Sequence, residues 1–268
     1  MIRLEYDRGT ILIYGMQVPN SRWDDRVGAY RSLAMYYRDI VEFLNASNLE
    51  FTDNVLDLIP CPFLSFKAEL KDYQEDAVNA WVKAGRRGVI VMPTGSGKTF
   101  VAMKAISMVS EATLVVVPTL DLMDQWATAA SDLLDVEVGL YGGGEHVLEP
   151  VTVATYDTAY LRAEELGNKF SLVIFDEVHH LPSPGYSHIA EMSAAPYRMG
   201  LTATPERSDG LHVELSRLIG GVKYEVPIKD LAGRYLAEYE IKRVLVDLTP
   251  EEKREYEAAY NVYVNYLK

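Results

Sequence analysis

The chain has 268 residues, 49% of them apolar, enough for one large or two ordinary folded domains. It has no uncharged apolar run of about 18 residues to span a membrane, and the opening Met1-Ile2-Arg3-Leu4-Glu5-Tyr6-Asp7 carries acids, unlike a secretion signal. The formal charge of −13 argues against a broad phosphate-gripping surface, and the single cysteine, Cys61, excludes an internal disulfide, suits a reducing, cytoplasmic interior and reads as a small buried hydrophobe.

Ile2, Leu4 and Tyr6 alternate with polar residues, and Asp7-Arg8-Gly9 supplies turn chemistry before Thr10–Tyr14, which predicts a hairpin. Asp24 or Asp25 can then cap a helix whose stripe is Val27, Tyr30, Leu33, Ala34, Tyr37, Val41 and Leu44, at spacings of three and four. Residues 49–59 read as extended again. Together these predict a small α+β domain over residues 1–60, near the lower size for independent folding, closed by Pro60-Cys61-Pro62.

From Glu69 the rhythm changes. A helix bearing Leu70, Tyr73, Ala77 and Trp81 stops at Gly85. Short, fully apolar runs follow, separated by helical stretches: Gly88–Met92, Thr113–Val117, Val151–Ala154, Leu172–Phe175 and Arg198–Leu201. Apolar strands alternating with helices predict an α/β domain over residues 67–231 with a parallel sheet covered on both faces. Residues 232–268 read as a connector, with an extended Ile241–Leu248. Thr249-Pro250-Glu251-Glu252 then starts a helix that meets no stop signal before Lys268, so the chain reads as a fragment.

Met92-Pro93-Thr94-Gly95-Ser96-Gly97-Lys98-Thr99 follows a predicted strand and opens a predicted helix. Gly95 and Gly97 allow the backbone to turn successive N–H groups toward one point, where the helix N-terminus adds its positive end. Pro93, Thr94, Gly95, Ser96, Gly97, Lys98 and Thr99 are therefore the expected phosphate cradle of a nucleoside-triphosphate site. Lys98 reaches the terminal phosphates, and the Thr99 hydroxyl is an expected Mg²⁺ ligand. Met92 stands where the general pattern has a first glycine.

The second half of such a site lies at the end of another apolar strand, in Asp176-Glu177-Val178-His179-His180. Asp176 is the expected second Mg²⁺ ligand, and Glu177 is placed to orient and deprotonate the attacking water. The adjacent histidines lack a zinc-binding pattern. Gly200-Leu201-Thr202-Ala203-Thr204-Pro205 ends a further strand; its hydroxyl residues Thr202 and Thr204 can bond His179 and change partner with nucleotide state.

In this order the three segments resemble motifs I, II and III of the superfamily-two helicases, which implies a RecA-like P-loop domain. Leu70-Lys71-Asp72-Tyr73-Gln74 is similar to the Q-type element of that superfamily, which implies that Gln74 reads adenine. Val117-Pro118-Thr119 with Gln125-Trp126, and Ala154-Thr155-Tyr156, resemble motifs Ia and Ib. The resemblance assigns Thr119 and Thr155 to a sugar-phosphate track that works through hydroxyls and amides and needs little net charge. The Gly142-Gly143-Gly144 run serves similarly or is a flexible turn.

The Asp-Glu-Val-His-His form, the Tyr-Gln element and a small leading domain look most like archaeal relatives of the XPB DNA-repair helicase. That implies an ATP-dependent, 3′–5′ DNA helicase or translocase acting on single-stranded or distorted duplex DNA. It also implies a repair nuclease or transcription/repair partner, and a first domain that recognises damage. Trp23, read as loop-borne, is the candidate for stacking on unpaired bases, while Tyr30, Tyr36 and Tyr37 read as helix core. The Arg-Glu-Asp triplet of the relatives is replaced by Glu206-Arg207-Ser208-Asp209. A second RecA-like lobe, of roughly 150 residues, does not fit after Pro205, so the chain alone is expected to be nearly inactive. The same motifs serve restriction or branch-migration translocases, one alternative; the other is a nucleotide-switched DNA-binding module that does not unwind.

Overall fold

The computed structural model describes residues 1–204, 206, 209–238 and 246–267. Met1–Leu231 form one compact unit and Ala232–Lys268 a second. The hairpin of β1 (Ile2–Asp7) and β2 (Thr10–Tyr14) closes through Arg8 and Gly9, both at positive φ. That pairing of left-handed residues matches the twist of a two-residue turn. Its register sets Leu4 opposite Ile13 and turns both into the core with Ile11.

The helix predicted from Asp24 or Asp25 to Leu44 is corrected. The chain first makes β3 (Arg22–Asp24) and β4 (Ala29–Leu33), and only α1 (Tyr37–Ala46) is helical, after one 3₁₀ turn. The cause is local. The Asp24 carboxylate accepts from the Arg26 amide, the Arg26 guanidinium and the Arg31 guanidinium, and Gly28 turns at φ +64°. A carboxylate that offers the backbone such partners competes with helix. Tyr30 therefore lies in a strand, Tyr36 in the 3₁₀ turn and Tyr37 at the helix start, though all three pack on the core as expected of them. Trp23 is on a strand too, not a loop. With β5 (Phe51–Asn54), which runs parallel to β1, the first sheet has the order β3-β4-β2-β1-β5.

The segment after β5 is stitched along the next layer. Asp57 and Ile59 donate backbone bonds to Asn168 and Lys169, and Lys67 donates to Leu133. Cys61 is half-buried rather than buried as expected, and burial with the nearby Glu111 charge pushes its thiol pKa up. The first sheet rests on the second layer directly. The Tyr6 hydroxyl lies within bonding distance of the Glu164 and Met192 carbonyls, Asn168 donates to the Val55 carbonyl, and Ala194 joins the first core.

The second layer begins with α2 (Asp72–Lys83), β6 (Arg87–Val91), α3 (Lys98–Val109), β7 (Thr113–Val117) and α4 (Leu120–Leu134). It continues through β8 (Val138–Gly142), β9 (Glu145–His146), β10 (Val151–Thr155), α5 (Tyr156–Leu161), α6 (Ala163–Leu166) and β11 (Leu172–Phe175). It ends with α7 (Ser187–Glu191), β12 (Tyr197–Thr202), α8 (Leu215–Leu218), β13 (Val222–Glu225) and α9 (Ile228–Leu231). The strand order is β13-β6-β12-β11-β7-β10-β8-β9, parallel except for the short β8–β9 hairpin. Every residue of β7, β10 and β11 is buried, as a parallel strand covered on both faces requires. Gly143 and Gly144, both at positive φ, form the β8–β9 turn.

In the second unit, α10 (Pro250–Leu267) starts at a capping box in which Thr249 and Glu252 exchange bonds. Of the expected strand at 241–248, residues 241–245 lie outside the described residues, as do Pro205, Arg207 and Ser208; Val246–Leu248 is not strand. Among the described residues no helix is long and apolar enough to cross a membrane.

Candidate active site

The three sequence segments meet at the C-terminal ends of β6, β12 and β11, the edge at which open α/β sheets bind ligands. After β6 the chain turns through Gly95 at φ +77° and Gly97 at φ +82°, and Gly97 caps α3 from the left-handed region. This leaves the first amides of α3 without helix partners, a ready anion site. Lys98 opens α3 with its ammonium 3.3 Å from the Met92 carbonyl, and Thr99 lies half-buried in the same turn.

Helix α2 holds the loop from behind. The Tyr73 hydroxyl and the Gln74 amide nitrogen both donate to the Ser96 carbonyl, at 2.8 and 2.9 Å. The other end of the Gln74 amide accepts from the Lys71 backbone at 2.9 Å, and the residue is buried. The side chain expected to read adenine thus has one bond at each end fixing the loop, which orients the amide and leaves one N–H and one oxygen lone pair in its inventory for a base.

Asp176 follows β11 and is nearly buried. Its Oδ2 accepts from the Trp126 indole at 2.8 Å and its Oδ1 from the Glu177 amide at 3.0 Å. Burial raises its pKa, the Trp126 bond opposes that, and the Glu177 charge adds to it. Glu177 is held at φ 46°, ψ 53°, a left-handed conformation that a non-glycine residue adopts at a cost of order 1–3 kcal/mol. There its Oε2 lies 3.3 Å from both the Thr202 hydroxyl and His179 Nδ1, which are themselves 3.2 Å apart. The structure therefore brings Glu177, His179 and Thr202 into one cluster. Thr204 joins it through its backbone, whose amide donates to the Thr202 hydroxyl.

Thr119 and Thr155 cap α4 and α5, accepting from the amides of Leu122 and Thr158. Thr119 is exposed, but Thr155 is buried and its hydroxyl is also bonded to that of Thr158. Trp23 stands apart in the first sheet. The residue is 53% exposed, its ring is edge-on to Tyr30 at 5.1 Å, and it borders a cleft of about 820 Å³ shared with Arg22, Arg26 and Arg31.

Sequence reasoning did not single out Trp126, Tyr156 and Tyr73 as site residues. Each ties a polar group to the site: Trp126 to the Asp176 carboxylate, Tyr156 to the Asp176 carbonyl at 3.0 Å, and Tyr73 to Ser96. The available signal was that a buried indole or phenol needs an acceptor. The donors suited to a metal are a hydroxyl and a carboxylate oxygen, from Thr99 and Asp176. Among the described residues no group of three or more His, Cys, Asp or Glu gathers elsewhere to hold an ion. Such a sparse oxygen set fits magnesium, which keeps waters and takes phosphate oxygens rather than a full protein cage.

A glycine loop between strand and helix, with an Asp-Glu pair two strands away, defines the lobe as a P-loop nucleotide-binding domain of RecA-like fold. The model for "Type III restriction enzyme, res subunit" matches residues 67–207, and that for "Xeroderma pigmentosum group B helicase damage recognition domain" matches residues 4–55. The chain belongs to the type III restriction/res-subunit family of superfamily two, and within it to the XPB-type helicases. It is 51% identical over 257 residues, 96% of this chain, to "DNA 3'-5' translocase XPB2" of Sulfurisphaera tokodaii, and spans 58% of that protein. It is 34% identical over 203 residues, 71% of this chain and 37% of the relative, to "DNA 3'-5' helicase XPB" of Mycobacterium tuberculosis. The fold is shared with the UvsW helicase of bacteriophage T4, at a TM-score of 0.51 and 17% identity over 83% of this chain and 99% of that one.

Proposed function

We propose that this chain is the ATP-binding front part of an ATP-driven DNA translocase or helicase moving 3′ to 5′. The observation that carries the proposal is the single edge on which the phosphate loop, the Asp176–Glu177 pair and the His179–Thr202 cluster converge. Lys98 and the first amides of α3 receive the phosphates. Thr99 and Asp176 are the residues that would hold a magnesium ion, which when bound screens the phosphate charge. Glu177 orients the attacking water and accepts its proton. Thr202, within reach of both Glu177 and His179, reports the state of that pair to β12. The rest of the nucleotide cleft, including a charge-stabilising arginine, comes from a second RecA-like lobe.

Single-stranded or distorted duplex DNA runs over the N-termini of α4 and α5. The Thr155 hydroxyl is used by its cap and by Thr158, whereas Thr119, which only accepts in its cap, keeps its O–H to donate to a phosphate beside the backbone amides. Residues 1–60 form a recognition domain in which exposed Trp23 stacks on unpaired bases, residues 67–231 form the motor lobe, and residues 232–268 lead toward the second lobe. The setting is intracellular and reducing, with a repair nuclease or transcription/repair protein as partner.

The test is ATP turnover by the intact enzyme without nucleic acid and with single-stranded DNA, duplex or RNA, alongside unwinding of 3′- and 5′-tailed duplexes. Stimulation by DNA with unwinding from the 3′ tail is expected. Movement without strand separation would point to a translocase of the restriction or branch-migration kind. DNA binding without turnover would leave only a nucleotide-switched module.

A further inference from the structure

Asp176 accepts side-chain bonds from elements other than its own loop at two atoms. Trp126, on α4, donates its indole N–H to the carboxylate Oδ2 at 2.8 Å, and Tyr156, the first residue of α5, donates its hydroxyl to the Asp176 carbonyl at 3.0 Å. Both rings are almost wholly buried, at 3% and 2% exposure, so water does not readily replace either bond. The remaining carboxylate oxygen is bonded to the Glu177 amide, so both oxygens have donors and the plane of the carboxylate is set. Among the described residues, only the Trp126 bond to that carboxylate originates on another element.

The elements that supply these two bonds are the ones assigned above to the DNA track. Helix α4 is capped by Thr119 after β7, and α5 by Thr155 after β10. Strand β7 lies between β10 and β11, and the Asp176 amide donates to the Val116 carbonyl of β7. A helix moves as a rigid body, so a shift at the capped end of α4 is carried about two turns along it to Trp126. We propose that Trp126 and Tyr156 are positioning residues that couple nucleic acid on the α4 and α5 loops to the orientation of the Asp176 carboxylate. The proposal rests on the DNA-motor reading above.

Removing a bond that orients a metal ligand from outside typically costs about 10–100-fold in metal affinity or activity. In the intact enzyme, Trp126→Phe should raise the Mg²⁺ concentration needed for half-maximal binding of a fluorescent, non-hydrolysable ATP analogue by that factor. DNA stimulation of turnover should fall with it, while metal-free nucleotide binding stays unchanged. Tyr156→Phe should weaken DNA stimulation with less effect on the Mg²⁺ requirement. Trp81→Phe is the structural control. It also loses a buried indole bond, to the Arg198 carbonyl, but touches no part of Asp176. It should lower the melting temperature and leave the Mg²⁺ requirement unmoved.

A second readout needs no variant to fold and no turnover. The protein has three tryptophans, so the Trp126 indole N–H can be assigned by ¹⁵N NMR. That resonance should move when Mg²⁺ and the analogue bind, and again when single-stranded DNA is added. Absence of DNA-stimulated turnover in the wild type would remove the motor reading itself. Stimulated turnover with a Trp126→Phe enzyme of normal Mg²⁺ requirement, or a Trp126 resonance that ignores bound DNA, would overturn this coupling alone.

Discussion

Gly97→Ala tests the loop geometry quantitatively. Gly97 sits at φ +82°, and a Cβ there would stand 2.5 Å from the Gln74 amide nitrogen. The left-handed conformation costs an L-residue about 1–2 kcal/mol. Displacing Gln74 breaks its 2.9 Å bond to Ser96 and leaves a buried amide unpaired, a further cost of about 1–3 kcal/mol. The free loop can relax out of this strain, so the cost falls on nucleotide binding, which needs the strained form. About 2–5 kcal/mol at about 1.4 kcal/mol per decade means affinity weaker by about 30-fold to a few thousand-fold. Titration of the chain with a fluorescent ATP analogue and Mg²⁺ measures this, with a thermal melt to check the fold. Gly144→Ala separates the two contributions, because it is at φ +99° with nothing within 4 Å. It should cost hairpin stability without changing affinity. A folded Gly97→Ala protein that binds nucleotide within about threefold of wild type would refute the reasoning.

Lys98→Ala should abolish nucleotide binding while leaving the melting temperature nearly unchanged, because the ammonium's bond within the protein is a 3.3 Å contact to one carbonyl; loss of the melt instead would make Lys98 structural. Glu177→Gln should keep nucleotide affinity but stop hydrolysis in the intact enzyme, since an amide cannot accept the water's proton; normal turnover would remove Glu177 as the base. Burial, aided by the charges of Glu164 and Asp7, pushes the Tyr6 phenol up from 10.0 to about 12. Its folded value is above its unfolded one, so its stabilisation is present below pH 10 and lost as pH rises through about 12. Tyr6→Phe should therefore be less stable than wild type by about 1 kcal/mol at neutral pH, with the gap closing across that window; urea melts at either end check it, and a gap independent of pH would contradict it.

The motor lobe was legible because its local signals agree with one another. The runs at 113–117 and 172–175 are strands over those same residues, since full burial on both faces makes the whole segment apolar. Edge strands lack that signature. Val222-Lys223-Tyr224-Glu225 is polar and largely exposed, and it pairs with β6 on one side only, so no apolar run announces it. The first domain misled for a different reason. Its apolar residues fell by coincidence on a helical spacing, whereas the hairpin was decided by the Asp24 carboxylate and by Gly28, which pattern counting does not weigh. Within the site, the loop and the acids show in sequence because each is contiguous. The bonds of Trp126 and Tyr156 to Asp176 depend on elements distant in sequence and meet only through the order of the strands.

That order explains why the Asp176–Glu177 pair is bonded from both flanks, Asp176 from the β7 and β10 side and Glu177 from β12. Along one edge of the sheet, β6 carries the phosphate loop, β12 carries Thr202, β11 carries the acids, and β7 and β10 lead into α4 and α5. The loop strand and the acid strand are not neighbours; β12 separates them. Thr202 accordingly bonds to both, its carbonyl accepting from the Met92 amide and its hydroxyl reaching Glu177. On the other flank β7 abuts β11 directly, and the Asp176 amide donates to Val116 there. Nucleotide-facing and track-facing elements thus form one row of adjacent strands with β11 at the joint. On the proposed coupling, motion imposed on α4 or α5 reaches Asp176 through the side chains that cross to β11, Trp126 and Tyr156. On the proposed motor reading, such a row needs no large basic surface to couple nucleotide and DNA, which makes the net charge of −13 compatible with that proposal.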